Sequence, residues 1–320
     1  MDFVHLHTHS DYSLLRSAAK ITSLVARAKE LGMSHLALTD EGNMFGALEF
    51  YKACRKAGIV PILGCDFFLA PGSRHEKTSQ ESGNRYARIV LLAKNATGYR
   101  NLLILTSAGY TEGFYYRPRI DRELLEKYHD GLIALSGGIS GEIPLLIRRN
   151  RMAEAQELAE FYRELYGTDG FYLELQDHGL VEEQTVNEGL KEIHRITGIP
   201  LVAANELFYV NRDDAPAQDV LMCIGSNRKR DETDRFRFST DEFYLKSPEE
   251  MARLFADHPE ALSNTRRIAE ACNLEIDLPG PRFPDYHIPE GFDSPDSYLR
   301  HLAHKGLAER YPTVIGEITK

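Results

Sequence analysis

Phe3-Val4-His5-Leu6-His7-Thr8-His9-Ser10-Asp11 opens the chain with a short apolar run that releases into three histidines at alternate positions and then an acid. Residues 3–6 read as a short buried strand. In a strand, residues two apart project to the same side, so His5, His7 and His9 can face one pocket. Imidazoles gathered at a strand end are what a metal site requires. The fold and the chemistry then depend on what the other strand ends supply.

Working outward, apolar runs at 35–39, 59–69 (interrupted at Gly64), 87–93, 131–135, 171–175 and 200–204 read as six further strands. Helices are expected over 21–31, 44–57, 99–107, 121–128, 142–148, 152–166 and 181–197, several of them stopped by a glycine. In the second, Phe45, Leu48, Tyr51 and Cys54 or Ala53 are expected to face inward. Strands alternating with helices imply a mainly parallel sheet with right-handed crossovers. Seven strands suit a barrel, and the missing helix between the third and fourth makes it irregular. The fold class is therefore α/β, a distorted seven-stranded (β/α) barrel with a C-terminal extension. In such barrels chemistry sits where strands end. The ends here carry His7, His9, Asp40, Glu41, Asp66, Ser136-Gly137-Gly138, Asp177, His178, Asn205 and Glu206. For any single one a turn or helix cap is the ordinary explanation; the clustering is what points to a functional face.

Composition narrows the class. The 320 residues are 42% hydrophobic and 27% charged, with a net charge of −10. That argues against an autonomous non-specific DNA binder, whose affinity comes from neutralising phosphates. Cys54, Cys65, Cys223 and Cys272 form no CxxC pair, so reduced, buried thiols in a cytoplasmic protein are expected. No signal peptide and no membrane span are read. Residues 71–85 read as a mobile polar loop. Residues 226–241 read as a solvated charged loop, with Arg228, Lys229 and Arg230 as weak nucleic-acid candidates. A helical pair at 249–255 and 260–272 precedes an extended proline-rich linker (Pro279, Pro281, Pro284, Pro289). A last amphipathic helix, 297–310, carries Leu299, Leu302 and Leu307, and the chain reads as cut from something longer.

Residues 3–13, with Ala37-Leu38-Thr39-Asp40-Glu41-Gly42-Asn43-Met44, resemble the opening of the bacterial DNA polymerase III alpha-subunit family. Gly58-Ile59-Val60-Pro61-Ile62-Leu63-Gly64, Asn95-Ala96-Thr97-Gly98-Tyr99-Arg100-Asn101-Leu102, Ser136-Gly137-Gly138, Asn205 with Tyr209-Val210, Tyr244-Leu245-Lys246-Ser247 and Pro259-Glu260-Ala261-Leu262 extend the resemblance over essentially the whole chain. It implies that residues 1–275 are a polymerase-and-histidinol-phosphatase (PHP) domain. Residues 276–320 would be the linker and the start of the polymerase palm region. The palm's acidic motif and nucleotide loop lie further downstream in that family, so this chain alone is not expected to polymerise DNA.

Active PHP domains hold up to three metal ions on nine ligand positions. Carried over one at a time, the first two histidines fall on His7 and His9. The aspartate after them falls on Arg16, and the histidine after the Thr-Asp pair on Glu41. The glutamate after the third strand falls on Asp66, the histidine of the fourth strand on Arg88, and the cysteine or histidine after the fifth on Gly138. The final Asp-x-His pair falls on Glu206 and Phe208. Arginine has donors only and cannot ligate a cation. Phe208 offers no lone pair and Gly138 no side chain. Three carboxylates would still converge and need counter-charge; Arg16 and Arg88 carry it.

The resemblance thus implies a non-catalytic PHP domain with arginine–carboxylate pairs in its former metal pocket, acting structurally and docking a proofreading exonuclease subunit. No cofactor is expected in this chain, with magnesium belonging to the parent polymerase. The alternative is an active metal-dependent 3′–5′ exonuclease or phosphoesterase using zinc or manganese, its smallest site a single ion on His7, His9, Glu41 and Glu206. Partners implied are the rest of the alpha subunit, the exonuclease, and the replicative holoenzyme and DNA through the parent protein, with no membrane. His5, His178 and His194 read as structural or exposed.

Overall fold

The computed structural model describes residues 3–77, 86–278, 280, 284 and 286–311. It divides into two compact units, Met1–Glu275 and Ile276–Lys320. The first contains α1 (Ile21–Glu30), β1 (His35–Leu38), α2 (Ala47–Ala57), β2 (Val60–Leu69), β3 (Ala87–Ala93), α3 (Ala96–Thr111), β4 (Arg119–Ile120), α4 (Arg122–Lys127) and β5 (Leu132–Leu135). It continues with α5 (Glu142–Arg148), α6 (Met152–Tyr166), β6 (Phe171–Gln176), α7 (Val181–Thr197), β7 (Leu201–Ala204), a 3-10 turn (Arg212–Asp214), α8 (Ala215–Ser226), α9 (Pro248–Leu254) and α10 (Pro259–Ala271).

The sheet runs β1-β2-β3-β5-β6-β7, with β4 beside β2. Its β1–β2, β5–β6 and β6–β7 pairs are parallel, whereas β3 runs antiparallel to both β2 and β5. This corrects the mainly parallel expectation locally. A strand returning antiparallel needs no crossover helix, which is why none could be read between residues 69 and 87. Gly64 does not interrupt β2. A Cβ there would stand 2.6 Å from the Leu91 carbonyl oxygen, so glycine lets β2 and β3 approach.

The seven strands are not the seven expected. Residues 3–6 are buried but join no ladder; β4 takes their place in the count. The Val4 amide donates to Thr265 Oγ1 of α10 at 3.1 Å. The His5 carbonyl accepts from the Ala37 amide at 3.0 Å, and the His9 amide donates to the Leu207 carbonyl at 3.1 Å. The opening stretch therefore lies in the seam between β1 and the end of β7, closing the curl of the sheet.

Strand alternation sorts the side chains. Cys65, Phe67, Ile89, Leu91, Leu173 and Leu175 pack outward in one apolar cluster with residues of α3, α5, α6 and α7. Val90, Leu92, Ile133, Leu135, Tyr172 and Val202 fill the inside with Val4 and Leu6. By the same alternation Asp66, Arg88, Glu174 and Gln176 point inward at the polar end of the curl.

In α2 the buried face is Ala47, Phe50, Tyr51 and Cys54. Phe45 precedes the helix and is 59% exposed, and Leu48 lies off the buried stripe. Residues 71–77 are held, unlike the expected mobile loop: Arg74 is buried and pairs with Glu112 at 2.7 Å and with Asp121 and Glu123 at 3.1 Å. The rest of that loop, 78–85, lies outside the described residues, as do Pro279 and Pro281 of the linker. The charged 226–241 stretch is likewise anchored, through the Arg235 guanidinium on Asp219 at 2.6 and 2.9 Å. In the second unit α11 (Pro295–Arg310) leaves Leu299, Leu302 and Leu307 exposed and buries no residue. Among the described residues no helix is long and apolar enough to cross a membrane.

Candidate functional site: a buried acid–arginine–histidine centre

Five segments deliver the site. His7 and His9 come from the seam, Glu41 from the turn after β1, Asp66 from β2, Arg88 from β3, and Glu206 from the turn after β7. In the β2–β3 register Phe68 faces Arg88 and Asp66 faces Val90. Asp66 and Arg88 are therefore diagonal neighbours on one face, within reach of long side chains.

Arg88 is the hub. Its Nε donates to Asp66 Oδ1 at 2.9 Å and its Nη2 to Asp66 Oδ2, a bidentate pair. Nη1 donates to Glu41 Oε1 at 2.9 Å, and Nη2 stands 3.9 Å from Glu206 Oε1. The guanidinium also lies 5.0 Å from the centroid of the Phe68 ring. Arg16 is peripheral, its Nε 3.4 Å from Glu41 Oε1 and its side chain 30% exposed.

His7 is held from both sides. Its Nδ1 is 2.8 Å from Glu174 Oε1 and its Nε2 3.1 Å from Asp66 Oδ2. Gln176 Nε2 donates to the same Glu174 oxygen at 2.6 Å. His9 Nε2 faces Glu206 Oε1 at 3.4 Å without a hydrogen-bond partner. The His9 ring stacks on Phe208 at 4.6 Å. His5 turns away, its Nε2 bonded to the Lys246 carbonyl at 2.9 Å. The alternation rule fails there because residues 3–9 are not a regular strand. His178 and His194 are also used locally, on Glu183 at 2.6 Å and on the Ile199 carbonyl at 2.8 Å.

Electrostatics follow the geometry. Burial pushes the Glu41 carboxyl up, but Arg88 and Arg16 outweigh it and hold it near 2. Burial opposes ionisation of Glu206 too, yet His7, His9 and Arg88 hold it well below the usual carboxylate range. Burial opposes protonation of His7, and the Glu174 and Glu206 carboxylates reverse that, raising its pKa. His9 is lowered, mainly by burial. Asp40 is raised by burial, although Ser10 and Ser13 hydroxyls donate to it at 2.7 and 2.6 Å.

Glu174 and Gln176 were missed in the sequence. Their signal was two polar residues at the inward positions of Phe171-Tyr172-Leu173-Glu174-Leu175-Gln176. Gly138 belongs with them: a Cβ there would meet Gln176 Oε1 at 2.3 Å, so the glutamine amide fills the space beside the glycine. Arg228 and Arg230 lie elsewhere, Arg228 on Glu232 at 3.0 Å and Arg230 3.6 Å from Asp219.

Arg16, Arg88, Gly138 and Phe208 offer no metal ligand, and the Arg88 guanidinium engages both oxygens of Asp66. The donors that do converge, within 4.8 Å of one another, are His7, His9, Asp66 and Glu206. Asp66 thus joins where Glu41 was expected; Glu41 is taken up by the two arginines.

A family model described as the PHP domain matches residues 5–178. The chain is 50% identical over 318 residues to the DNA polymerase III subunit alpha of Treponema pallidum, covering 99% of this chain and 27% of that protein. It is 51% identical over 317 residues to that of Borreliella burgdorferi, covering 99% and 28%. With the Thermus aquaticus subunit the identity is 41% over 326 residues, covering 99% and 27%. The chain thus spans about a quarter of the length of the curated relatives it matches. Among solved structures, a putative metal-dependent phosphoesterase from Bifidobacterium adolescentis aligns with a TM-score of 0.40 at 11% identity, over 78% of this chain and 95% of that one.

Proposed function

The chain belongs to the PHP domain family, and from that premise we propose that it is the opening, non-hydrolytic domain of a replicative DNA polymerase alpha subunit, acting in bacterial DNA replication in the cytoplasm. Residues 1–275 are the PHP domain in this reading, and residues 276–320 the linker and the start of the palm. The relatives support the parent protein, being alpha subunits of which this chain matches a quarter. The observation that carries the loss of hydrolysis is Arg88. A fixed guanidinium lies on Asp66 and Glu41, where a hydrolytic PHP centre needs a cation that can hold and ionise water. Arginine supplies the charge but binds no hydroxide.

The test is to incubate the purified chain with 3′-labelled single-stranded DNA and zinc or manganese, with its metal content measured beside it. No metal-dependent cleavage and no stoichiometric metal is the expected result. Cleavage that needs metal and disappears in His7→Ala overturns the reading.

One observation favours a second reading, a metal-dependent phosphoesterase or 3′–5′ exonuclease. His7, His9, Asp66 and Glu206 converge, and Glu174 orients His7 as a carboxylate behind a metal-ligating imidazole does. They would hold a single ion whose chemistry is the activation of water. Arg88 would first have to leave Asp66, which is why this reading ranks second.

A PHP domain without its own nuclease goes naturally with proofreading supplied by a partner. We therefore assign the domain a docking role for the exonuclease subunit. Titration of that subunit into this chain is the direct check, and no binding under conditions where the full alpha subunit binds removes the role.

A further inference from the structure

The stretch between α8 and α9 lies against the polar end of the curl. Phe236, Phe238 and Ser239 form one wall of a hollow of 240 Å³ whose other wall includes Arg88, Gln176 and Glu206. The lining carries both signs of charge, with Arg237 against Glu182 and Glu183, so its charge singles out no ligand. What distinguishes the hollow is the way it is covered.

The cover is tied on by side chains. Among the described residues, no backbone group of residues 229–241 hydrogen-bonds outside that run. The ends are fixed. Asn227 closes α8 in the left-handed conformation, at φ +52°, and the Phe243 carbonyl accepts from the Phe208 amide at 2.9 Å. Between those ends Arg235 grips both oxygens of Asp219 at 2.6 and 2.9 Å, and Arg212 meets Asp241 at 3.1 Å. The Phe238 ring stacks on Phe243 at 4.1 Å and packs against Phe208 at 5.2 Å. Arg16 touches cover and centre at once, its guanidinium 5.8 Å from the centroid of the Phe236 ring and its Nε 3.4 Å from Glu41 Oε1. A run that shares no ladder with the core belongs to the low end of local stability and opens before the sheet does.

The atom beneath it lacks a partner. His9 Nε2 is buried with no hydrogen bond, 3.4 Å from Glu206 Oε1. A buried polar atom in that state is ordinarily satisfied by water. The His9 ring stacks on Phe208, and Phe208 is backed by Phe238 of the cover. Releasing the cover therefore removes both the backing of Phe208 and the wall facing Glu206, whose side chain is 18% exposed.

We propose that residues 229–241 are a strap that gates the acid–arginine centre. Small solutes reach Glu206 and His9 through the hollow when Arg235 leaves Asp219 and Phe238 leaves Phe208, while the sheet stays folded. The gate applies equally to a centre that hydrolyses and to one that does not.

The test is carbethoxylation of the whole chain by diethyl pyrocarbonate, read histidine by histidine by mass spectrometry. His75, with a side chain 58% exposed, reports the reagent. His5, buried and bonded to the Lys246 carbonyl, reports the folded core. In the wild type His75 is labelled fast and His9 slowly. The His9 rate rises about tenfold in Arg235→Met and in Phe238→Ala, with His5 unchanged. Arg195→Met, which breaks an exposed arginine–carboxylate pair on α7, changes neither. Thermal unfolding of each variant confirms that it is folded. Urea below the unfolding transition gives the same answer without a variant: labelling of wild-type His9 rises at lower urea than labelling of His5. The proposal is overturned by wild-type His9 reacting as fast as His75, by His9 reacting no faster in either strap variant, or by His9 and His5 becoming reactive together along the urea series.

Discussion

Arg88 closes on Asp66 with two nitrogens, Nε on Oδ1 at 2.9 Å and Nη2 on Oδ2, and reaches Glu41 with the third. All three side chains are buried. Removing the arginine leaves Glu41 with only the peripheral Arg16 and Asp66 with only the histidines beside it.

Arg88→Met is accordingly expected to cost about 3–5 kcal/mol of stability. Urea unfolding measures it. Adding Asp66→Asn and Glu41→Gln to Arg88→Met should recover a large part of the loss, because the orphaned charges go with the cation. A triple variant no more stable than the single one would show that packing, not charge, is what Arg88 provides.

Acid should loosen the centre over a defined window. Glu41 ionises near 2 in the folded chain against a usual 4.5. Its contribution is complete above about pH 4.5 and is lost as the pH falls from there towards 2, because the unfolded chain binds the proton first. The depressed Glu206 acts in the same direction. The contribution at neutral pH is on the order of 3 kcal/mol. Chemical unfolding at a series of pH values should show a steeper fall below pH 4.5 for the wild type than for Glu41→Gln; parallel curves would refute the coupling.

Gly138→Ala is expected to displace the Gln176 amide, since the added Cβ would meet its oxygen at 2.3 Å. The amide is the free end of a flexible side chain, so the cost is its bond to Glu174 rather than a rigid clash, about 1–2 kcal/mol. Gln176→Ala should make the glycine substitution nearly neutral. A double-mutant cycle by thermal unfolding reads that coupling.

Arg235→Met should free the stretch between α8 and α9. The guanidinium is 3% exposed and bonds both oxygens of Asp219. Downstream of that anchor Phe238 stacks on Phe243 at 4.1 Å and packs at 5.2 Å on Phe208, the ring against His9. Hydrogen exchange of residues 227–243 should rise sharply while β6 and β7 stay protected.

The parts of the fold that follow from periodicity were legible in the sequence. The helices α5, α6 and α7 fall on their expected bounds, and the strands β2, β3, β5, β6 and β7 lie within a residue of theirs. Strand direction was not legible, because a buried strand such as Ala87–Ala93 has the same apolar composition whichever way it runs. Nor was β4, two residues long and containing a buried arginine. At the site, His7, His9, Glu41, Asp66, Arg88 and Glu206 come together, with Arg16 at the edge. Glu174 and Gln176 do not announce themselves, since a polar residue inside a strand says which face it shares but not what it meets. The 226–241 stretch is the largely exposed loop it reads as, but its charge run gave no sign of the Arg235 anchor on Asp219 or of Phe238 against Phe243.

The seam at residues 3–9 also dictates an order of events during synthesis. Within the chain the Val4 amide waits for Thr265, made 261 residues later. At about 5–20 residues per second that is a delay of roughly 13–52 seconds. Until then the seam is incomplete: the His5 carbonyl can meet the Ala37 amide early, but the His9 amide waits for Leu207 and the Val4 amide for Thr265. A chaperone that recognises Phe3-Val4-His5-Leu6 would have its window then, and the domain becomes whole only when this seam closes.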